Sequence, residues 1–204
     1  MLVFSPKFYI RVDNPSINMQ TTLRNPRRTA LLSVLAALCL GIQLAPRPPN
    51  VEFTSLFTFV IGFVFGVSTG VLFGSFIMFI NGFFSPWGFS GLNMPFQIAG
   101  IALIGLVGGL YKKYLQGYSS AEFVVEVAVL GAFLTVIYDL ITNLGVAIQF
   151  TIAGTPFTWA TISALAYGTP FSVIHVISNS AVFGAAFFPL TKALDHAIMV
   201  ENLG

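Results

Sequence analysis

Stretches without a single Asp, Glu, Lys or Arg dominate the chain. Residues 29–46, 53–111 and 140–191 contain none, giving runs of 18, 59 and 52 residues. A helix needs about 20 apolar residues to cross a hydrocarbon core about 30 Å thick, so these runs predict membrane-spanning helices. Phe, Ile, Leu and Val follow one another without the regular polar alternation of a membrane barrel. Spans are expected at 29–45, 95–111, 122–150 and 169–194. The 33 residues of 51–83 would form a helix of about 50 Å at 1.5 Å per residue. That is too long for one upright crossing and short for two.

Basic residues decide between these, because cytoplasmic flanks collect Lys and Arg. With two spans in 51–83 the chain has six transmembrane helices and both termini cytoplasmic. Lys7, Arg11, Arg24, Arg27, Arg28, Lys112, Lys113 and Lys192 then lie inside, and Arg47 alone lies outside. A single span there would move Lys112, Lys113 and Lys192 outside and erase most of the asymmetry. The turn between the two short spans is expected at 66–68, among Gly62, Gly66, Gly70 and Gly74. Small residues every fourth position let helices approach closely, so these glycines are read as packing sites.

Composition agrees with an all-α integral membrane protein. The chain of 204 residues is 56% hydrophobic and 8% charged, against about 25% charged in soluble domains. Cys39 is the sole cysteine, which excludes a disulfide scaffold. The net charge of +2 is too small to imply a nucleic-acid partner. Residues 1–28 are expected as a cytoplasmic tail, 29–194 as the six-helix membrane domain and 195–204 as a second cytoplasmic tail. The first hydrophobic stretch is expected to act as an uncleaved anchor. A phosphate-binding G-x-x-x-x-G-K-[ST] is missing, as are H-E-x-x-H and G-x-S-x-G. Two histidines cannot build a three-histidine metal site. No enzyme activity, cofactor or metal is implied.

Ionisable groups inside a membrane are costly and therefore candidates for function. Thr135, Asp139, Thr142 and Asn143 share one stripe of the fifth helix; Ser172, His175 and Asn179 share one of the sixth. Counting the helical rise from each end places both stripes at one depth, in the outer half. Asn50, Glu52, Asn81 and Gln97 reach the same level from the other helices. Mutual satisfaction, such as an Asp139–His175 pair, explains any one residue. The set as a whole points to a polar cavity open to the outside, in other words a ligand site. The outer connections 82–94 and 151–168 are charge-free and aromatic, with Trp87, Phe89, Trp159 and Tyr167. Long loops of that kind act as lids or binding loops, while Trp and Tyr also anchor at the membrane interface. Arg47 is placed to meet an anionic ligand group or a lipid phosphate.

The layout resembles the substrate-binding S components of energy-coupling factor (ECF) vitamin transporters over about residues 29–194. The resemblance rests on Pro48-Pro49-Asn50-Val51-Glu52-Phe53, Gly62-Phe63-Val64-Phe65-Gly66 with the period-four glycines, and Asn81-Gly82. It continues through Ser85-Pro86-Trp87-Gly88, Tyr138-Asp139-Leu140-Ile141-Thr142-Asn143 and His175-Val176-Ile177-Ser178-Asn179. It implies six helices enclosing a vitamin-like substrate, with ligand-binding candidates Asn50, Glu52, Asn81, Trp87, Gln97, Asp139, Asn143, His175 and Asn179. The implied partners are a transmembrane coupling subunit and two cytosolic ATPases. Docking in that family uses small residues on the first helix, typically Ala-x-x-x-Ala; here Ser33, Ala37, Gly41 and Ala45 hold the periodicity without the strict motif. Cobalamin and riboflavin are candidate substrates on aromatic content alone. Two other classes stay open: a proton-coupled secondary carrier using Asp139 and His175, and an MreD-like membrane scaffold. The missing inverted repeat weighs against the carrier, and a scaffold has no use for the polar cluster.

Overall fold

The structure, a computed structural model, describes residues 24–112 and 120–202. Among these residues it is all-helical. The order is α1 (Pro26–Leu44), α2 (Thr54–Phe65), α3 (Val67–Phe84), a 3-10 turn (Gly91–Asn93), α4 (Met94–Tyr111), α5 (Ser120–Ile152) and α6 (Phe157–Asn202). Lys7, Arg11, Lys113 and most of the expected N-terminal tail lie outside the described residues. α1 opens on a capped start: the Asn25 side chain accepts from the backbone N–H of Arg27 and Arg28, and Pro26 occupies the first turn.

The division of 51–83 falls where the glycines placed it. Gly66 separates α2 from α3 with φ +93°, a conformation an L side chain resists. The glycines around it pack three helices together. A Cβ on Gly70 would lie 2.5 Å from the Gly62 Cα, and one on Gly105 would lie 2.5 Å from the Gly70 carbonyl carbon. α2, α3 and α4 therefore meet backbone to backbone.

Among the described residues five helices are long and apolar enough to cross a membrane, and α2 is a shorter apolar one. Its 12 residues extend about 18 Å, less than a hydrocarbon core. Every residue of α2 is buried, so its outline is set by protein rather than lipid. Phe59 packs at ring-centroid distances of 5.5 Å on Phe183 and 5.9 Å on Phe187 of α6. Phe123 of α5 joins the cluster 5.9 Å from Phe187. This aromatic core fills one half of the bundle.

The segment 151–168 departs from the expected long loop. α5 ends in a tight Schellman-type turn in which Thr155 N–H donates to Phe150 O and Gly154 N–H to Thr151 O, with Gly154 at φ +100°. Helix α6 then starts at Phe157 and runs 46 residues through Pro170 and Pro189. Gly154, Pro156, Gly168 and Pro170 read as breakers in sequence. Only the first two end a helix or begin one, because α5 supports the other two along the α5–α6 pair. Trp159 and Tyr167 consequently stand exposed on a helix.

Candidate functional site

α5 and α6 run antiparallel, and their polar stripes meet rung by rung. Asn179 Nδ2 donates to Thr135 Oγ1 at 3.0 Å, and four residues away His175 Nδ1 lies 2.7 Å from Asp139 Oδ1. One further turn along, Asn143 packs against Gly168, where any Cβ would collide with its amide. The equal depth computed from sequence is thus a direct contact.

A third element closes the network. In the α1–α2 connection, Val51 N–H bonds Pro48 O at 3.3 Å, and Asn50 adopts φ +59°, a left-handed turn position that Asn tolerates. Ser178 of α6 anchors this turn through its hydroxyl, which donates to Asn50 O at 3.0 Å. The turn delivers Glu52 to the start of α2, where Oε2 accepts from Ser55 N–H at 3.0 Å. A carboxylate there also suits the positive end of the helix dipole. Glu52 Oε1 accepts from Asn179 Nδ2 at 3.0 Å and faces His175 Nε2 at 3.5 Å. The imidazole therefore sits between two carboxylates.

Above this network lies a cavity of about 750 Å³. Asn50, Glu52, Asn81, Trp87, Gln97, Asp139, Asn143 and His175 all line it, as their sequence positions suggested. Asn179 does not: it is fully buried behind the wall, where its amide bridges Glu52 and Thr135. Its place on the stripe located the depth correctly, but packing turned it away from the cavity. Of the expected aromatic loops, Trp87 and Phe89 line the cavity. Phe83, Phe84, Phe157, Trp159 and Tyr167 face outward and are exposed.

Gln43, Asn93 and Tyr138 line the cavity without having been singled out. Asn93 was within reach, because it stands one helical turn before Gln97. Tyr138 packs edge-on against His175 with centroids 5.7 Å apart. Gln43 Oε1 accepts from Thr54 Oγ1 at 2.9 Å. Arg47 also lines the cavity, and it spends Nη1 on Val51 O at 2.9 Å and Nε on Gln43 O at 3.3 Å. Burial pushes its guanidinium below the usual arginine value, with the Glu52 carboxylate acting in the opposite sense.

The opposite end of the bundle is built differently. Lys112 Nζ donates to Val64 O at 3.4 Å, beside the α2–α3 turn. Burial lowers its pKa, and Asp195 opposes the shift. Glu126 accepts from the Tyr111 hydroxyl. Among the described residues no group of three or more His, Cys, Asp or Glu could hold a metal ion. On the outer face of α1, Ser33, Ala37, Gly41 and Ala45 are all exposed, while Arg28, Leu35, Cys39 and Gln43 face inward. The small residues do not pack on the protein's own helices.

Residues 27–190 match the family model described as ECF transporter, substrate-specific component. No curated protein and no solved structure matches the chain.

Proposed function

The chain belongs to the family of substrate-specific components of ECF transporters, and on that premise we propose that it captures a vitamin-like micronutrient from outside the cell. It is a multi-pass membrane protein of the binding-subunit type, and uptake is driven by a coupling subunit and two cytosolic ATPases that dock on it. The observation that carries this reading is the 750 Å³ cavity lined by polar groups from the α1–α2 connection and from all six helices. Pockets of a few hundred to about 1,000 Å³ enclose drug-sized ligands. That size suits a vitamin-sized ring system with its side chain better than a corrinoid.

Charge placement supports a cavity facing outward. Gln43 at the end of α1 lines the cavity, so Arg27 and Arg28 at its start lie at the other end. Lys112 is also at that far end. Arg47 alone sits at the cavity. Positive residues mark the cytoplasmic side. In this topology α2 runs from the cavity floor at Ser55 to the Lys112 end at Val64. It completes a sixth crossing without full membrane length, because the cavity occupies the outer part of its path. The exposed Ser33, Ala37, Gly41 and Ala45 face is the proposed docking surface for the coupling subunit, since small residues permit close helix contact.

Copurification after mild detergent extraction tests the reading. A coupling subunit with two ATPases, together with a small molecule released from the isolated chain and identified by mass spectrometry, is the expected result. Recovery of the chain alone from cells expressing an ECF module, with no bound small molecule, would overturn it.

A further inference from the structure

The hydrogen-bond ledger of the cavity wall points to the chemistry of the ligand, given that the cavity is a ligand site as proposed above. Both oxygens of Glu52 have partners: Oε2 takes the Ser55 N–H, and Oε1 takes the Asn179 amide and faces His175. Asp139 has a partner at one oxygen only. Its Oδ1 faces His175 Nδ1 at 2.7 Å, while Oδ2 is buried and has no partner in the protein. Asp139 as a residue is only 7% exposed and lines the cavity. Three more wall residues, Asn81 on α3, Asn93 beside the start of α4 and Gln97 on α4, also carry buried amide oxygens without a donor. Buried acceptors in native proteins are almost always paired, and an ionised carboxyl accepts without donating.

The wall carries little positive charge for an anion. Arg47 is the one Lys or Arg lining the cavity, and two of its donor nitrogens are bound to backbone carbonyls. Against it stand the carboxylates of Glu52 and Asp139. The ring of His175 lies between those carboxylates, so both its nitrogens are turned to them rather than to a ligand. An imidazolium there would bring the lining to neutrality; a neutral ring leaves it negative.

We propose that the ligand presents a cationic, N–H-rich nitrogen group, of the amine, amidine or protonated amino-heterocycle class, to Asp139 Oδ2. The rest of its donors reach toward Asn81 and Gln97, and its ring lies among Tyr138, Trp87 and Phe89. A ligand whose recognition element is a carboxylate or phosphate does not fit this wall.

Three probes of one shape test the assignment: benzamidine, benzamide and benzoate. They are added at millimolar concentration to the purified full chain in detergent, and binding is read by thermal shift and by ligand-observed NMR. The expected order is benzamidine, then benzamide, then benzoate, and Asp139→Asn should weaken benzamidine about ten-fold or more. Asparagine keeps an acceptor for His175, and the order on the unmutated protein stands even where the variant does not fold. Equal or stronger binding of benzoate, unchanged benzamidine affinity in a folded Asp139→Asn variant, or no binding of any probe would each overturn the proposal. Copurification of the ATPases is read separately. A failed probe order with the partners present therefore counts against the ligand class, and the reverse counts against the transporter reading.

Discussion

His175 is held between two carboxylates, with Nδ1 2.7 Å from Asp139 Oδ1 and Nε2 3.5 Å from Glu52 Oε1. One ring thus ties α6 to α5 and to the start of α2 at a single level. Removing it leaves two acidic side chains buried and facing a void. His175→Ala is expected to lower stability by about 3–5 kcal/mol, the usual loss when one member of a buried charged pair is deleted. Adding Glu52→Gln should recover part of that. Thermal unfolding in detergent measures both, and a His175→Ala protein as stable as the parent would contradict the arrangement.

Asn179 acts on the cavity from behind. Its Nδ2 bridges Glu52 Oε1 and Thr135 Oγ1, and it does not touch the cavity. Asn179→Leu should cost about 1–3 kcal/mol of stability by leaving Glu52 short of a donor. Affinity for an identified ligand should fall less than in Asp139→Asn. Titration calorimetry beside a melting curve separates the two; a larger affinity loss in Asn179→Leu would mean that its side chain reaches the ligand.

Two glycines of similar sequence setting should respond in opposite ways. Gly105→Leu drives a side chain into the Gly70 backbone, and no rotamer relieves a clash that begins at Cβ. That variant should fail to give a monodisperse peak on size exclusion. Gly41→Leu meets nothing within 4 Å, so it should fold and melt like the parent. If the α1 face is the docking surface, Gly41→Leu and Ala37→Trp should still lose copurification of the coupling subunit.

The turn between α5 and α6 gives a purely backbone test. A Cβ at Gly154 meets nothing within 4 Å, yet the residue holds φ +100°. Gly154→Ala should therefore destabilise by about 1–2 kcal/mol through conformational strain alone. A shift in melting temperature reads this, and no change would show that the turn relaxes freely.

Much of this protein was written in its one-dimensional pattern. Charge-free runs of 18, 59 and 52 residues announce membrane helices because hydrocarbon rejects charge and unpaired backbone. The break at Gly66 was legible since a 33-residue run has no single upright solution. The common depth of Asp139 and His175 followed from the fixed helical rise, a property of backbone geometry that no neighbour alters. Eight of the nine candidate ligand residues line the cavity.

The remainder depended on three-dimensional packing. Periodicity fixes the face of a helix but not its rotation to within one side chain, so Asn179 shared a stripe with His175 and still turned behind the wall. Gly168 and Pro170 look like helix ends in isolation; packing of α6 along α5 keeps the chain helical through them, because tertiary contact outweighs local propensity. α2 stops at 12 residues since its boundaries answer to the cavity above and the Lys112 end below rather than to lipid thickness. Which acceptor is left without a donor is likewise invisible in sequence. It emerges only when α3, α4, α5 and the Glu52 turn are brought to one level.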